Sequence, residues 1–349
     1  MSAPDRAEAA ARAAAVRTIY GYMSSQIIRT AEELRIPDLV RDRPLDVGEI
    51  ADATGAHARS LHRLLRALVT LEVLTEPEAG LFGPGPRGGF LADGGEHSLR
   101  SITRLFTGAE FADSWRELRH SVMTGRAAFD RVHGTSFYEY LGAESEFARL
   151  FGEAMAENAR FEAPRIVAAH DFGRYSSIVD VGGGDGSLLT AVLAANVETA
   201  GTLLETPEAA EQARVLVEKR GLSGRCEVVE GDFFARVPPG AQAYLLKSVV
   251  HNWNDDACVR ILRTCRHAMR SDGRLLLIEP VLSERTDPDA DMALESALSD
   301  VNMLVLTAGG VERTRAEFEG VLGASGFRLD GISPRIEGTD FRVIEALPL

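Results

Sequence analysis

The segment VDVGGGDGSLL, residues 179–189, decides how the second half of this chain folds. An apolar run ending in Asp180 and Val181 enters the glycines Gly182, Gly183 and Gly184, passes Asp185 and Gly186, and leaves through Ser187 into the helical run LLTAVLAA. That is strand, tight turn, helix. Glycines in such a turn let the backbone approach a ligand closely, and the helix that follows aims its first amide groups at the same place. A dinucleotide fingerprint, G-x-G-x-x-G, begun at Gly182 needs glycine at position 187, where Ser187 stands. The pattern D-x-G-x-G-x-G fits instead, at Asp180, Gly182, Gly184 and Gly186.

Downstream, strand-like runs alternate with helical ones: SSIVDV, GTLLE, CEVVEGD, AYLLKSV, GRLLLIEPV and FRVIEAL. Alternation of this kind predicts a parallel sheet with crossover helices. Ligands in such sheets sit at the carboxyl ends of the strands. The glycine segment resembles motif I of the class I S-adenosylmethionine methyltransferases, which pack the amino-acid part of the cofactor against this loop. The resemblance implies a Rossmann-like α/β domain whose later strand ends complete an adenosine pocket. Glu205, ending GTLLE, stands where an acid accepts hydrogen bonds from both ribose hydroxyls. Gly231, Asp232 and Phe233 follow the next strand and offer a carboxylate to the adenine amino group and an aromatic face beside the ring.

The following strand runs into KSVVHNWNDDACVRIL. Asn254 is a good helix N-cap, with Asp255 and Asp256 well placed in the first turn. His251 is thereby held just before a helix, on the cofactor side of the sheet. This segment, with GDFF at 231–234 and GGVERTRAEFEGVL at 309–322, resembles the plant-type O-methyltransferase family, which includes bacterial natural-product enzymes. The likeness spans nearly the whole chain. It implies His251 as the general base that takes the proton from a substrate hydroxyl, Glu279 and Glu312 as the carboxylates that orient it, and Lys247 as a cofactor contact. The methyl group arrives already activated on a sulfonium, so no metal is expected. A neutral imidazole can accept the proton as the bond forms, and alignment in a closed pocket supplies much of the rest. The family usually carries Asp after the histidine; Asn252 stands here and removes that charge.

Residues 1 to about 165 read as helix after helix. Asp46 with Glu49 predicts a capping box, Gly55 a helix end, and Leu61, Leu64, Leu65, Leu68 and Leu71 an apolar stripe. A turn-rich stretch at 75–91 follows, so helix, helix and wing give a winged-helix-like reading. Arg59, Arg63 and Arg66 lie away from the stripe. A winged-helix DNA-binding regulator is therefore one alternative, but a net charge of −14 argues against a nucleic-acid or anionic-membrane partner. The resemblance implies instead a dimerisation domain at 1–100, connecting helices lining the substrate pocket at 101–165, and the S-adenosylmethionine domain at 166–349. Homodimerisation through the N-terminal helices is expected on the same ground.

The substrate wall is expected from helical segments, with Phe151, Met155, Asn252, Trp253, Asn302 and Met303 as candidate contacts. Methionines and aromatics there make an adaptable slot for a flat ring. The expected partner is a small hydroxylated molecule, a phenol or enol of an aromatic or polyketide-like metabolite. N- or C-methylation, or a drifted member doing hydroxylation or decarboxylation, are the other enzyme readings. Cys226, Cys258 and Cys265 lack zinc-type pairing, and Cys258 and Cys265 share an apolar stripe with Leu262 and Met269. With no secretory signal and no membrane-length apolar run, a cytoplasmic location is expected.

Overall fold

The computed structural model describes residues 3–95, 97–288 and 290–349. It divides into two compact units, Met1–Ala109 and Glu110–Leu349.

The first unit is built from helices with one small sheet. Strands β1 (Leu45–Asp46), β2 (Leu74–Glu78) and β3 (Leu81–Pro84) pair antiparallel in the order β1-β3-β2. Asp46 caps the helix Val47–Thr54: its carboxylate accepts from the Glu49 amide at 2.9 Å, and the Glu49 carboxylate accepts from the Asp46 amide at 3.0 Å. Gly55 ends that helix at φ +68°, a backbone conformation glycine takes without strain. In the next helix, Ala58–Thr70, Leu61, Leu65 and Leu68 are buried, while Arg59, Arg63 and Arg66 face solvent. Glu32 is fully buried and is held by Arg100 at 2.8 Å and by Arg104. At the junction of the first two helices, Ala3–Ile19 and Gly21–Glu33, the side chains of Ile19, Tyr20, Tyr22 and Met23 are exposed.

The second unit is organised by an eight-stranded sheet. Its strands are β4 (Ser177–Val181), β5 (Ala200–Glu205), β6 (Cys226–Glu230), β7 (Ala243–Lys247), β8 (Arg274–Leu282), β9 (Arg313–Thr314), β10 (Phe327–Ile332) and β11 (Phe341–Pro348). The order is β10-β11-β8-β7-β4-β5-β6, with the two-residue β9 alongside β8. Strands β4 to β8 run parallel; β10 and β11 form an antiparallel hairpin on the β8 edge. Chain order reverses between β4 and β7, so the carboxyl ends of these two strands flank the crevice where open α/β sheets take their ligands. One core layer packs the helices Asp255–Ala268 and Arg315–Ala324 on one face of the sheet, with Cys258, Leu262 and Cys265 fully buried in it. A second layer packs Ser145–Ala169, Ser187–Ala195 and Pro207–Lys219 on the other.

The strand-like runs of the sequence all lie in this sheet. Strand β10 was not among them, because only Phe327 in it is buried, Arg328 and Asp330 are exposed and the rest is half-exposed. Residues expected as a connecting segment divide between the units: 101–109 fall in the first, and 110–165 in the second. Among the described residues, no helix is long and apolar enough to cross a membrane.

Candidate active site

Strand β4 delivers Asp180, buried to 1 % exposure, into the glycine turn. Gly182, Gly184 and Gly186 take φ values of +73°, +59° and +79°. The three glycines 182 to 184 do different work. A Cβ on Gly182 would lie 3.0 Å from Val249, and one on Gly183 would lie 2.5 Å from the Asp180 carboxylate. A Cβ on Gly184 would meet nothing within 4 Å, so the loop turns a bare backbone toward open space there. Both Asp180 carboxylate oxygens are buried without a hydrogen-bond partner. Burial, and the like charge of Glu205, push this carboxyl from its ordinary 3.8 up to about 7.

That shift sets a testable sign. A carboxyl whose pKa is raised by folding contributes stability that is present below its ordinary value and lost as pH rises through about 7. Asp180→Asn removes the buried charge. Its Tm advantage over the parent should grow as pH climbs and level off above 7, reaching about 2–4 °C if about 1 kcal/mol is recovered. Thermal melts across pH 5 to 9 check this; a constant difference at every pH would contradict it.

Glu205 ends β5, and its Oε2 accepts from the Thr206 amide at 2.6 Å. Burial raises its pKa as well, against hydrogen bonds from Thr206 and Gly184 that lower it. Gly231 donates its amide to the Glu205 carbonyl at 3.0 Å, which ties the end of β6 to the end of β5. Asp232 closes the next turn, its Oδ1 accepting from the Phe234 amide at 2.8 Å. The Phe233 ring stands within 3.6 Å of where a Gly182 Cβ would be. Asp180, the glycine turn, Glu205 and Phe233 thus gather at the carboxyl ends of β4 to β6, where open α/β sheets have their ligand crevice. Its donors, acceptors and aromatic edge fit an adenosyl amino acid, and the unpartnered Asp180 carboxylate faces the loop that would hold it.

Across the crevice, β7 ends at Lys247. Ser248 then turns the chain at φ +54°, a costly conformation for a residue with a side chain. The turn is held from several directions. Glu279 on β8 is fully buried, and its Oε1 accepts from the Val249 and Val250 amides, both at 2.9 Å. Asn252 donates its side-chain amide to the Ser248 carbonyl at 3.0 Å, so this side chain braces the turn. Asn254 caps the following helix through the Ala257 amide at 3.0 Å.

His251 is thereby fixed between two acids. Its Nδ1 lies 2.8 Å from Glu312 Oε1 and 4.0 Å from Glu279 Oε2. Ser299 donates to the same Glu312 oxygen at 2.7 Å, and the Glu312 amide donates to Asp300 at 3.0 Å. A carboxylate only accepts, so the proton sits on Nδ1 and the lone pair of a neutral ring is on Nε2. Burial alone lowers the His251 pKa, but Glu279 and Glu312 together outweigh it and push it up to about 9. Glu279 is pushed up to about 7, mainly by burial and against the opposing charge of His251. The glycine pair at 309–310 lets the Glu312 loop come this close: a Cβ on Gly310 would lie 2.7 Å from the His251 carbonyl oxygen.

The remaining candidates are placed as follows. Lys247 pairs with Glu162 at 2.5 Å and lies 4.7 Å over the Phe341 ring. Trp253 stacks on Tyr138 at 5.2 Å and 12°, with Phe234 edge-on at 4.8 Å. Phe151 meets Phe137 edge-on at 5.4 Å. Asn302 accepts from the Trp115 indole at 3.1 Å. Met303 is buried and Met155 half-buried. Sequence reasoning missed Tyr138, Glu162 and Ser299; the partners of Tyr138 and Glu162 lie far away in the chain, and Glu312 lies 13 residues beyond Ser299 on a different element.

A sheet with this strand order, a glycine loop after its first parallel strand and a histidine held beside two buried acids are what the resemblance to S-adenosylmethionine-dependent O-methyltransferases implies. Comparison with known proteins agrees. The O-methyltransferase domain model matches residues 115–328, and the O-methyltransferase dimerisation domain model matches residues 16–92. The chain is 37% identical over 334 residues to the phenazine O-methyltransferase PhzM of Lysobacter antibioticus, covering 96% of this chain and 95% of that one. It is 39% identical over 336 residues to the mitomycin biosynthesis 6-O-methyltransferase of Streptomyces lavendulae, covering 95% and 94%. The solved structure of the mitomycin 7-O-methyltransferase MmcR superposes with a TM-score of 0.88 at 38% identity, over 99% of this chain and 100% of that one. The chain belongs to the O-methyltransferase family that these models and relatives define.

Proposed function

We propose that this enzyme methylates a phenolic or enolic hydroxyl of an aromatic or polyketide-like secondary metabolite, with His251 as general base. The observation that carries the reading is the 2.8 Å contact from His251 Nδ1 to Glu312, which leaves Nε2 as the free acceptor at the carboxyl end of β7. The substrate class is supported by relatives that act on phenazine and mitomycin compounds. A homodimer through the N-terminal helices is part of the proposal. It is supported by the dimerisation-domain match and by the exposed Ile19, Tyr20, Tyr22 and Met23. A cytoplasmic location suits three buried, unpaired cysteines.

S-adenosylmethionine, when bound, supplies a methyl group already activated on a positively charged sulfur. Asp180, Gly182, Gly184, Glu205, Gly231, Asp232 and Phe233 are the residues that would hold it, with Lys247 at the edge of the same crevice. Neutral His251 takes the hydroxyl proton on Nε2 as the acceptor oxygen becomes nucleophilic. Glu312 keeps the other ring nitrogen protonated, and both glutamates stabilise the imidazolium that results. Glu279 also fixes the backbone of the turn. The protein's own contribution is therefore one proton acceptor, held in register in a buried place.

The test is direct. Purified protein is incubated with S-adenosylmethionine, EDTA and a panel that includes 1-hydroxyphenazine and simple hydroxynaphthalenes. A product heavier by one methylene unit, absent when the hydroxyl is blocked, supports the reading. Gain of an oxygen, or methylation of the blocked compound, overturns it.

The pH dependence follows from the same contact. His251 serves as base only when neutral, and Glu312 favours its charged form, so activity should rise with pH along an acidic limb. Glu312→Gln removes that charge. The limb should move to lower pH by about one unit or more, while the plateau rate falls because the ring is less firmly oriented. A limb that stays in place would separate Glu312 from the titration of the base.

A further inference from the structure

Among the described residues Arg313 is the largest fully buried side chain, at 2 % exposure, and the base mechanism makes no use of it. Its guanidinium runs beneath the turn that carries His251. Nη1 donates to the Val250 carbonyl at 3.1 Å, and Nη2 donates to the Trp253 carbonyl at 2.8 Å. Nε and Nη2 also reach Asp255 Oδ1, at 3.0 and 2.7 Å. The two gripped carbonyls bracket His251 on either side. Its neighbours in sequence act on the same turn: the Val311 amide donates to the His251 carbonyl at 2.8 Å, and Glu312 takes the imidazole. Three consecutive residues, 311 to 313, therefore bind the main chain and side chain of 250–253 at four points. Only a planar fork can serve both carbonyls and the carboxylate together.

We propose that Arg313 is a positioning residue for the base: it holds the 250–253 turn so that His251 stays in register with Glu312. The proposal rests on the reading of His251 as base, and its test is chosen to stand apart from that reading. An arginine buried merely to join two layers would contribute to stability and nothing more. A positioning arginine also controls the distance from His251 to Glu312, and through it the proton affinity of the imidazole. The charged groups acting on His251 are Glu279, Glu312 and Lys247. Removing a nearby cation by itself raises a histidine's pKa. Losing the Glu312 contact lowers it. The two explanations thus differ in sign.

The experiment follows the histidine ring by NMR in protein labelled at histidine 13Cε1, with His251→Asn used to assign the resonance. It needs no acceptor molecule. Arg313→Met and Arg313→Lys should each lower the His251 titration midpoint, by about one unit for Met, with S-adenosylhomocysteine affinity within about twofold of the parent. Asp255→Asn should leave the midpoint in place, because Asp255 is 70 % exposed and lies outside the grip on the carbonyls. If Arg313→Met does not fold, Arg313→Lys reads the same sign. An unchanged or raised midpoint in the foldable variants overturns the proposal. Normal turnover in His251→Asn would instead overturn the base assignment, and the NMR result would stand by itself.

Discussion

Replacing His251 with alanine should lower turnover by about a hundred- to ten-thousandfold, the usual worth of a positioned proton acceptor. That is about 3–5 kcal/mol of barrier. The side chain sits across the crevice from Asp180, Glu205 and Phe233, so S-adenosylhomocysteine should bind nearly as before. The variant leaves Glu279 and Glu312 buried side by side without the imidazole between them. In the parent, the raised His251 pKa contributes stability that is full below the ordinary histidine value of 6.5 and is lost as pH rises through about 9. His251→Ala should forfeit that contribution, and the loss should be greatest in neutral and mildly acidic buffer. His251→Asn keeps a hydrogen-bonding group between the acids and serves where the alanine variant is too unstable. Steady-state kinetics with any acceptor found in the panel, set beside calorimetric titration of S-adenosylhomocysteine, separates the two effects. Turnover within tenfold of the parent would remove His251 from the mechanism.

The second large effect is expected at Gly183. A methyl group there would lie 2.5 Å from Asp180 Oδ2 and 3.0 Å from Leu203. Neither neighbour has room to yield, since Asp180 is buried on β4 and Leu203 is buried on β5. The loop must therefore move, and overpacking of this kind costs about 1–3 kcal/mol of stability. The larger consequence is for the cofactor. If the displaced turn forfeits about 2.7 kcal/mol of binding, S-adenosylhomocysteine affinity falls about a hundredfold. Gly184→Ala makes an instructive partner, because its Cβ meets no protein atom. Whatever it costs beyond the strain of φ +59° reports the ligand side of the loop. Wild-type affinity in Gly183→Ala would show that the turn is not where the cofactor's amino-acid part is held.

How much of this was legible in sequence depended on how far apart the partners stand. The capping box of Asp46 and Glu49 and the N-cap Asn254 are contacts over three residues, so the local pattern contains them whole. The glycine loop was legible for the same reason. It couples a strand end to a helix start within one turn, and its backbone angles demand glycine. The cysteine stripe follows helical period and is buried as its spacing implies; in the leucine stripe Leu61, Leu65 and Leu68 are buried, and Leu64 and Leu71 are half-buried against them.

The base cluster was legible by another route. His251 and Glu312 are sixty-one positions apart, and only the resemblance to a family, not any local rule, placed them together. Where the resemblance was silent, the long-range partners stayed hidden. Glu162 beside Lys247, Ser299 beside Glu312 and the grip of Arg313 are side-chain meetings set by how helices pack on the sheet. Asn252 illustrates the limit. It is expected as a substrate contact, and no local rule showed that its amide is also given to Ser248, four residues back, where the chain takes a costly angle. Strand β10 escaped for a simpler reason: an edge strand half open to water lacks the apolar run that marks its neighbours.

The scarcity of lysine has a practical consequence. Of the two in the chain, Lys247 is side by side with Glu162 and mostly covered, whereas Lys219 ends an outer helix and is exposed. Amine-directed coupling to side chains should therefore choose Lys219 over Lys247, and leave the crevice untouched. The enzyme can be tethered to a surface, or given a dye, with few orientations and an open site.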